Sequence, residues 1–519
     1  MKRLSRWFFP ENSTSEQHAV GRMLFLRGIA VIYLIAIISW WVQADLLVGK
    51  NGLVPADSFI GRLHDSGVSF FEYPVVGTNF HLLCAVGCVL AICVLAGFFS
   101  GPALAFLWLI YLSLLNTGGV FMSFQWDILL LETGFLAIFL APWRRIRLSW
   151  QNPAPLEPLG QQVMLWLCWV LIAKLMFFSG WVKVAWAGDQ YPEWWPDHTA
   201  MTYHYFTQPL PTWTAWWMHQ LPAWFQQFSL WPMYFVELVL PFFVIFGPRM
   251  RRVAAIGFTG LMVLILLTGN YTYFNWLTIV LCFPLVADCL WPGRLLRWLR
   301  IRKIDLTGSV RRTYPVGSIW GVVARAPTIL LIGWLNFYTI LTDLHRAPNP
   351  VLKSDFTPDF LKQVAEKTGP WRLVSGYGLF RTMTTDRPEI VLEGSYDGFS
   401  WKEYDFRWKP DKLDARPRFV APHQPRVAWQ MWFFALERGY HPQSRNSGWF
   451  SSIVTKLLQG EESVQAFFVE NPFPHDPPPR FIRARLYAYE FTTIAEKRET
   501  GDWWKRTFVR EFLPPVSLR

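Results

Sequence analysis

Residues 120–141 read VFMSFQWDILLLETGFLAIFLA, an apolar stretch of 22 residues with two charged side chains, Asp127 and Glu132. A helix of this length rises about 33 Å, because each residue adds about 1.5 Å, and the hydrocarbon core of a bilayer is about 30 Å thick. The stretch is therefore typical of a membrane-spanning helix. Charges inside such a helix are costly, so they also mark a candidate functional site.

The chain around this stretch is also apolar: of its 519 residues, 52% are hydrophobic and only 17% are charged. This composition excludes a disordered chain and argues against an ordinary soluble enzyme. Eight further stretches are long enough, or nearly so, to span a bilayer. They are 23–44, 79–99, 102–117, 161–182, 228–247, 253–269, 272–290 and 322–344. We therefore predict an α-helical polytopic membrane domain of about nine spans over residues 1–345.

Residues 346–519 differ, since proline, charged residues and short alternating segments replace the apolar runs. Tyr404, Phe406 and Trp408 alternate with charged residues, as in a half-buried strand, and a turn at 396–399 predicts a hairpin with 389–395. A further strand is expected at 483–491, and helices at 428–438 and 450–470. The fold class predicted for this part is a β-rich, sandwich-like α+β soluble domain.

Basic residues indicate the side of the membrane that each loop occupies, because short cytoplasmic loops carry the excess of Lys and Arg. With the N-terminus in the cytoplasm, 19 of the 23 basic residues in 1–345 fall on the cytoplasmic side. An odd number of spans then exports residues 346–519, to the bacterial periplasm or to the lumen of the endoplasmic reticulum. The net charge of +12 thus reflects topology, and no nucleic-acid partner is expected.

The sequence predicts neither a metal site nor a cofactor. All six cysteines lie in predicted membrane helices, without CxxC or Cys/His ligand spacing, and are interpreted as packing residues. There is no Ser/His/Asp order, phosphate-binding loop or Rossmann glycine pattern. An enzyme is therefore the less favoured class.

Five ionisable residues in or beside the spans are candidate site residues: Asp127, Glu132, Lys174, Lys183 and Glu237. Asp127 and Glu132 lie about 140° apart around their helix, so they do not form a carboxylate pair on one face. Lys183 can snorkel to the interface, whereas Lys174 needs a buried partner, for which Glu237 or Asp127 is expected. Two interpretations stay open: ion pairs that lock helices together, or a functional site.

The outer loop, residues 181–227, is rich in aromatic residues and carries eight of the 31 tryptophans. Rings of this kind form belts at the membrane interface, and with prolines they also suit a groove that binds a client protein. The polar cluster Tyr203, His204, Tyr205 and Gln208 favours the client-binding interpretation. His204 is the best candidate for proton transfer, with a structural histidine as the alternative.

Several strings, in order along nearly the whole chain, resemble the lipase maturation factor family. They are Leu47–Pro55, Gln125–Pro142, Ser179–Lys183, Tyr203–Pro211, Gly269–Thr278, Tyr404–Phe406, Trp429–Phe433 (which includes Trp432), Asn471–Phe473 and Phe512–Leu518. The resemblance implies a multi-span membrane protein, resident in the endoplasmic reticulum in eukaryotes, that secreted lipases need to fold and assemble. It also implies that the exported domain engages the client, which makes Trp429, Trp432 and Phe433 candidate contacts. The lack of extramembrane cysteines and of a retrieval signal suggests a bacterial member.

The leading hypothesis is therefore a chaperone-like maturation factor whose partners are exported, lipase-like clients and membrane lipids. The alternative is an intramembrane enzyme for a lipid or quinone-like substrate, with Lys174, Lys183, Asp127, Glu132 and His204 around one cavity. A distant similarity to vitamin K-dependent carboxylase, limited to the turn before Lys183 and to Trp186, supports that alternative. A transporter is weaker still, because the spans show no internal repeat.

Overall fold

The computed structural model describes residues 18–77, 79–143, 146, 160–186, 191–299, 317–346, 357–474 and 477–518. Many of the basic residues that assign the cytoplasmic loops lie outside these ranges, among them those of 2–6, 144–147 and 300–312.

The first 346 residues form a helical bundle in which five described helices are long and apolar enough to cross a membrane. These are α1 (Ala19–Val48), α4 (Ser100–Thr117), α6 (Gly160–Ala185), α11 (Pro248–Thr268) and α14 (Gly317–Arg346). The shorter helices are α2 (Ala56–Asp65), α3 (Phe80–Ala96), α5 (Gln125–Leu140), α7 (Ala200–Thr207), α8 (Trp213–His219), α9 (Ala223–Tyr234), α10 (Leu240–Phe243), α12 (Phe274–Cys282) and α13 (Gly293–Trp298).

The prediction of about nine spans is confirmed only in its coarser form, as several apolar helices. Prolines account for part of the difference, since proline removes a backbone donor and interrupts a helix. The predicted span 228–247 contains Pro232 and Pro241 and is divided into α9, a π-helix (Phe235–Val239) and α10. The span 272–290 contains Pro284, and α12 gives way there to a 3₁₀ turn (Phe283–Leu285).

The C-terminal part contains one antiparallel sheet in the order β2-β1-β3-β4. Its strands are β1 (Arg387–Ser395), β2 (Lys402–Tyr404), β3 (Phe481–Phe491) and β4 (Trp504–Val516), and its helices are α15 (Asp359–Thr368), α16 (Arg426–Ala435), α17 (Ser447–Leu458) and α18 (Ile494–Thr500). The predicted hairpin is confirmed, since Leu392 pairs with Tyr404. The sandwich is not confirmed: the described residues contain a single sheet, against which α16 and α17 pack where a second sheet was expected.

The two parts of the chain share a hydrophobic core. Apolar side chains of α1, α4 and α5 belong to the same buried cluster as those of β1, β3, α16 and α17. The C-terminal part meets the bundle where α4 ends, at the 3₁₀ turn Gly119–Met122, and at α7. This junction contains most of the predicted site residues.

Candidate functional site

Asp127 lies in the first turn of α5 and forms a fully buried ion pair with Arg426 of α16. The guanidinium donates to both carboxylate oxygens, over 3.0 Å to Oδ1 and 3.1 Å to Oδ2, and also to the carbonyl of Phe121. The hydroxyls of Tyr111 and Tyr273 each donate to Oδ1 over 2.6 Å. Bidentate pairs of this kind fix orientation as well as charge, so this contact aligns the C-terminal part on the bundle.

Aromatic contacts surround this ion pair. Trp126 Nε1 donates to Gln424 Oε1 over 2.8 Å, and the Trp126 ring packs edge-on against Trp429 at 4.7 Å between centroids. Tyr271, beside Tyr273, contacts the same Trp429 ring at 6.0 Å. The three strings Gln125–Pro142, Gly269–Thr278 and Trp429–Phe433, which carry much of the family resemblance, therefore meet at one place.

Lys174 of α6 pairs with Glu132 of α5, with Nζ 2.8 Å from Oε1, and it also donates to Asn336 Oδ1 over 2.8 Å. The expectation that Glu237 or Asp127 is its partner is wrong. The second oxygen of Glu132 accepts from the Tyr377 hydroxyl over 2.7 Å and from the Ser375 backbone over 3.0 Å. The chain that leads into the C-terminal part thus completes this buried pair.

Lys183 pairs with Glu237 instead, over 2.8 Å, and also donates to the Ser179 carbonyl over 2.8 Å. Both side chains are buried, so Lys183 does not snorkel. Glu237 lies in the π-helix between Pro232 and Pro241, and a π-helix is a rare local feature that is frequent at functional positions. The Nζ atom also lies 5.3 Å from the centroid of the Trp194 ring.

Arg387 of β1 binds the outer loop at the end of α7. It donates to the carbonyls of Phe206 and Pro209 over 2.8 Å each, and to that of Gln208. Gln208 is itself buried and accepts from the Tyr271 hydroxyl over 2.8 Å. The polar outer-loop cluster is therefore internal, and its residues are used to attach the loop to the sheet.

His204 is also buried, and its neighbour across the junction is Phe380, at 4.9 Å between ring centroids. Within the described part of the chain, its Nδ1 has no hydrogen-bond partner. Burial, with a smaller effect of the nearby Lys183 charge, lowers the pKa of His204 to about 4. The histidine is neutral at pH 7. Of its neighbours in the cluster, Tyr205 is buried and Tyr203 is half-buried.

The three exported-domain candidates differ in exposure. Trp429 is buried, Trp432 is half-buried and donates from Nε1 to the Thr207 carbonyl over 2.9 Å, and Phe433 is exposed. Of the three, only Phe433 is available to a partner without rearrangement.

Sequence reasoning missed a second charged cluster, on β1 and the loop after β2. Glu389 accepts from Arg387 over 2.9 Å and from Lys409 over 3.2 Å, and Lys409 also binds Asp411. All four side chains are buried, and burial raises the pKa of Asp411 above its usual value. Charged and apolar residues alternate along β1 as in a strand with one face in water. The sequence contains no pattern that predicts that the outer loop covers this charged face.

This arrangement does not form an active site of the kind that the enzyme hypothesis requires. Lys174 and Lys183 bind different carboxylates, and Asp127 is saturated by Arg426 and two tyrosines. No group of three or more His, Cys, Asp or Glu side chains that could hold a metal ion occurs among the described residues. The geometry supports buried pairs that hold two parts of one molecule together.

Comparisons with known proteins support the family resemblance. A family model described as the lipase maturation factor transmembrane domain matches residues 20–292, and one described as the lipase maturation factor C-terminal domain matches 373–514. No solved structure matches the chain.

Named relatives extend over nearly the whole sequence. Lipase maturation factor 2 of Gallus gallus is 36% identical over 96% of this chain and 81% of its own length. The Homo sapiens protein of that name is 33% identical, with 96% and 82% covered. Lipase maturation factor 1 of Bos taurus is 30% identical, with 96% and 89% covered. These relatives are vertebrate, and a bacterial origin of this chain stays a prediction. The chain belongs to the lipase maturation factor family.

Proposed function

We propose that this protein is a membrane-embedded maturation factor for secreted lipases, that its C-terminal part faces the exported side, and that it binds a partly folded client through the free edge of β4. The relatives named lipase maturation factor support the client class. The observation that carries the binding site is the unpaired outer edge of this long strand.

Strand β4 pairs with β3 on one side only. Its ends are covered on the other side, because the Trp504 amide donates to the Leu413 carbonyl over 3.1 Å and the Phe512 carbonyl accepts from Tyr440 over 3.1 Å. Between these ends, residues 505–511 make no backbone hydrogen bond outside the β3 ladder within the described ranges. Such an edge is a template for an extended segment of another chain.

The side chains along this edge also suit an unfolded client. Phe508 is 53% exposed and Val509 48% exposed, on adjacent positions that point to opposite faces of the sheet. Lys505, Arg506 and Arg510 lie beside them and discourage the edge from pairing with a second copy of itself. An apolar segment is the complementary client sequence, since Lys505 and Arg506 are already paired with carboxylates of this chain.

The test is complementation in a host that lacks its own maturation factor and secretes a lipase. Wild-type protein should raise secreted lipase activity, and Phe508→Asp with Val509→Asp should remove most of the gain, since loss of a central contact of about 1–2 kcal/mol weakens binding about tenfold. Phe399→Asp is the matched control, because Phe399 is 89% exposed at the tip of the β1–β2 hairpin.

The outcomes separate two claims. If wild-type protein at normal abundance does not raise lipase activity, the maturation function is wrong. If wild-type protein does so but the double variant is equally active at equal abundance, the function stands and the β4 edge is not the client site.

A further inference from the structure

A groove of about 830 Å³ lies at the junction between the bundle and the C-terminal part, apart from the buried ion pairs. We call it the arginine groove, because Arg62 of α2, Arg372 before β1 and Arg445 before α17 line it together. These three residues come from widely separated parts of the sequence. Their convergence requires the complete fold.

Among the residues that the structure describes, none is a counter-ion for these three arginines. All are exposed, and no described carboxylate lies within 4 Å of any of the three guanidinium groups. Like charges gathered in one groove repel each other, an arrangement that a bound anion would relieve. Guanidinium groups match carboxylate and phosphate oxygens in geometry, donating two parallel hydrogen bonds.

The remainder of the groove is largely apolar. Val54 is exposed, and Val120 and Ile128 of the bundle are half-buried, so these three residues provide the apolar wall. Leu115, Met122 and Trp449 are buried behind it. The volume is within the range of about 300–1,000 Å³ for ligand sites that combine an apolar lining with a few polar groups. A ligand for this site therefore has an anionic head and a hydrocarbon chain.

Neighbouring aromatic residues indicate that the groove opens at the membrane surface. Phe71 is 77% exposed, and its carbonyl accepts from Trp371 Nε1 over 2.9 Å. Phe70 packs edge-on against the same Trp371 ring at 5.8 Å. Trp is enriched at the headgroup level of a bilayer, and Trp371 is half-buried next to these two exposed phenylalanines. Trp371 directly precedes Arg372 and would place the arginine at that level.

From these observations we propose that the arginine groove binds an anionic phospholipid, with the phosphate on Arg62, Arg372 and Arg445 and one acyl chain along the apolar wall. The lipid would fill a space between the bundle and the C-terminal part. This inference stands apart from the maturation function, because it rests on the groove alone.

The experiment uses the purified full-length chain in a neutral detergent and dioleoylphosphatidylglycerol with a fluorescent label, and it measures the dissociation constant by anisotropy. The test variant is Arg62→Gln with Arg372→Gln and Arg445→Gln. The control variant is Arg418→Gln with Arg480→Gln and Arg498→Gln, three exposed arginines away from the groove, so that both variants lose the same charge. Unfolding without lipid is recorded for each protein.

We expect the dissociation constant to rise at least about tenfold in the groove variant, from the loss of three charge-assisted contacts, and less than about twofold in the control. The single substitution Arg62→Gln should give an intermediate value. Equal binding of dioleoylphosphatidylcholine, or equal weakening in the control variant, would overturn the proposal. Displacement of the labelled lipid by oleate or by hexaglutamate more readily than by unlabelled phosphatidylglycerol would also overturn it, by assigning the groove to a free fatty carboxylate or to an acidic peptide.

Discussion

Asp127 accepts four hydrogen bonds on its two oxygens, from Tyr111, Tyr273 and Arg426, and these three residues lie in different elements or turns. The cost of burying the carboxylate is offset only while these donors are present. The sequence marked Asp127 as a site residue because a charge in an apolar helix is costly. It could not supply the partner, because Arg426 lies 299 residues away and spacing carries no information about such a contact.

Replacing Arg426 by Met should destabilise the protein by about 3–5 kcal/mol, because the substitution leaves a buried carboxylate without its counter-charge. The measurement is thermal unfolding followed by size-exclusion chromatography of a fluorescent fusion. Adding Asp127→Asn to the Arg426→Met variant should restore much of the lost stability, because it removes the unpaired buried charge. Arg438→Met, which breaks the exposed pair with Asp386, should cost less than about 1 kcal/mol and is the control. If Arg426→Met and Arg438→Met destabilised the protein equally, the buried Asp127–Arg426 pair would not have the stabilising role assigned to it.

His204 should make the protein sensitive to mild acid. Burial lowers its pKa to about 4, below the ordinary value of 6.5. The unfolded chain therefore takes up a proton at a higher pH than the folded chain does. The stability due to neutral His204 is complete above pH 6.5 and is lost as the pH falls toward 4, by up to about 3 kcal/mol.

The measurement is the free energy of unfolding, or the apparent melting temperature, between pH 7.5 and pH 4, for wild type and His204→Gln. The variant should show a shallower decline. The same substitution at the exposed His64 should leave the decline unchanged. An identical pH profile for wild type and His204→Gln would rule out this role.

At the scale of elements, strand β1 and the segment before it join the two parts. The nine positions of β1 are all buried: the apolar face lies against the core with α16, and the charged face meets the outer loop and Lys409. Periodicity located the hairpin and β3, because it reports local geometry. It could not distinguish a charged face in water from one covered by ion pairs, and it gave no information on whether helices or a second sheet cover the apolar face.

A substitution at Tyr377 can show whether its hydrogen bond to Glu132 secures the segment that leads into β1. Tyr377→Phe removes one donor from Glu132 and should cost about 1–2 kcal/mol, because the carboxylate oxygen keeps only the Ser375 amide. Hydrogen exchange measured by mass spectrometry should become faster in residues 373–383. Tyr396→Phe, at an exposed tyrosine of the hairpin turn, should leave exchange there unchanged. Unaltered protection in Tyr377→Phe would show that the hydrogen bond does not secure the segment.

At the scale of the whole molecule, the contacts fix which loops share a side. The C-terminal part touches the loop after α1, the turn after α4 and the outer loop, so these segments and β1–β4 belong to one side of the bundle. The positive-inside pattern predicts that this is the exported side. Charge distribution acts on topology directly, whereas helix ends and breaks depend on local packing, which the sequence pattern does not report.

Single cysteines introduced at Ser66 and at Arg498, in a chain with Cys289→Ser expressed in the cytoplasmic membrane of a bacterium, should both react in intact cells with a maleimide that does not cross that membrane. A cysteine introduced at Arg294 should react only after permeabilisation. All three positions are exposed, and Cys289 is an exposed native thiol that would otherwise give background. Labelling of Arg294→Cys in intact cells, without labelling of the other two cysteines, would show that the orientation in the membrane is the reverse of the predicted one.

Because the chain is synthesised from its N-terminus, Asp127 is made well before its partner Arg426. At about 5–20 residues per second, the 299 residues between the partners correspond to about 15–60 s during which α5 is complete and Arg426 does not yet exist. Glu132 gains its counter-charge, Lys174, after 42 residues, and lacks only the Tyr377 hydrogen bond until 245 residues later. The nascent bundle therefore passes through a stage in which the Asp127 carboxylate has no counter-charge, a defect that cellular quality control can recognise. A chain that ends before residue 426 keeps this defect and is expected to be degraded in a pulse-chase experiment, whereas the full-length chain accumulates.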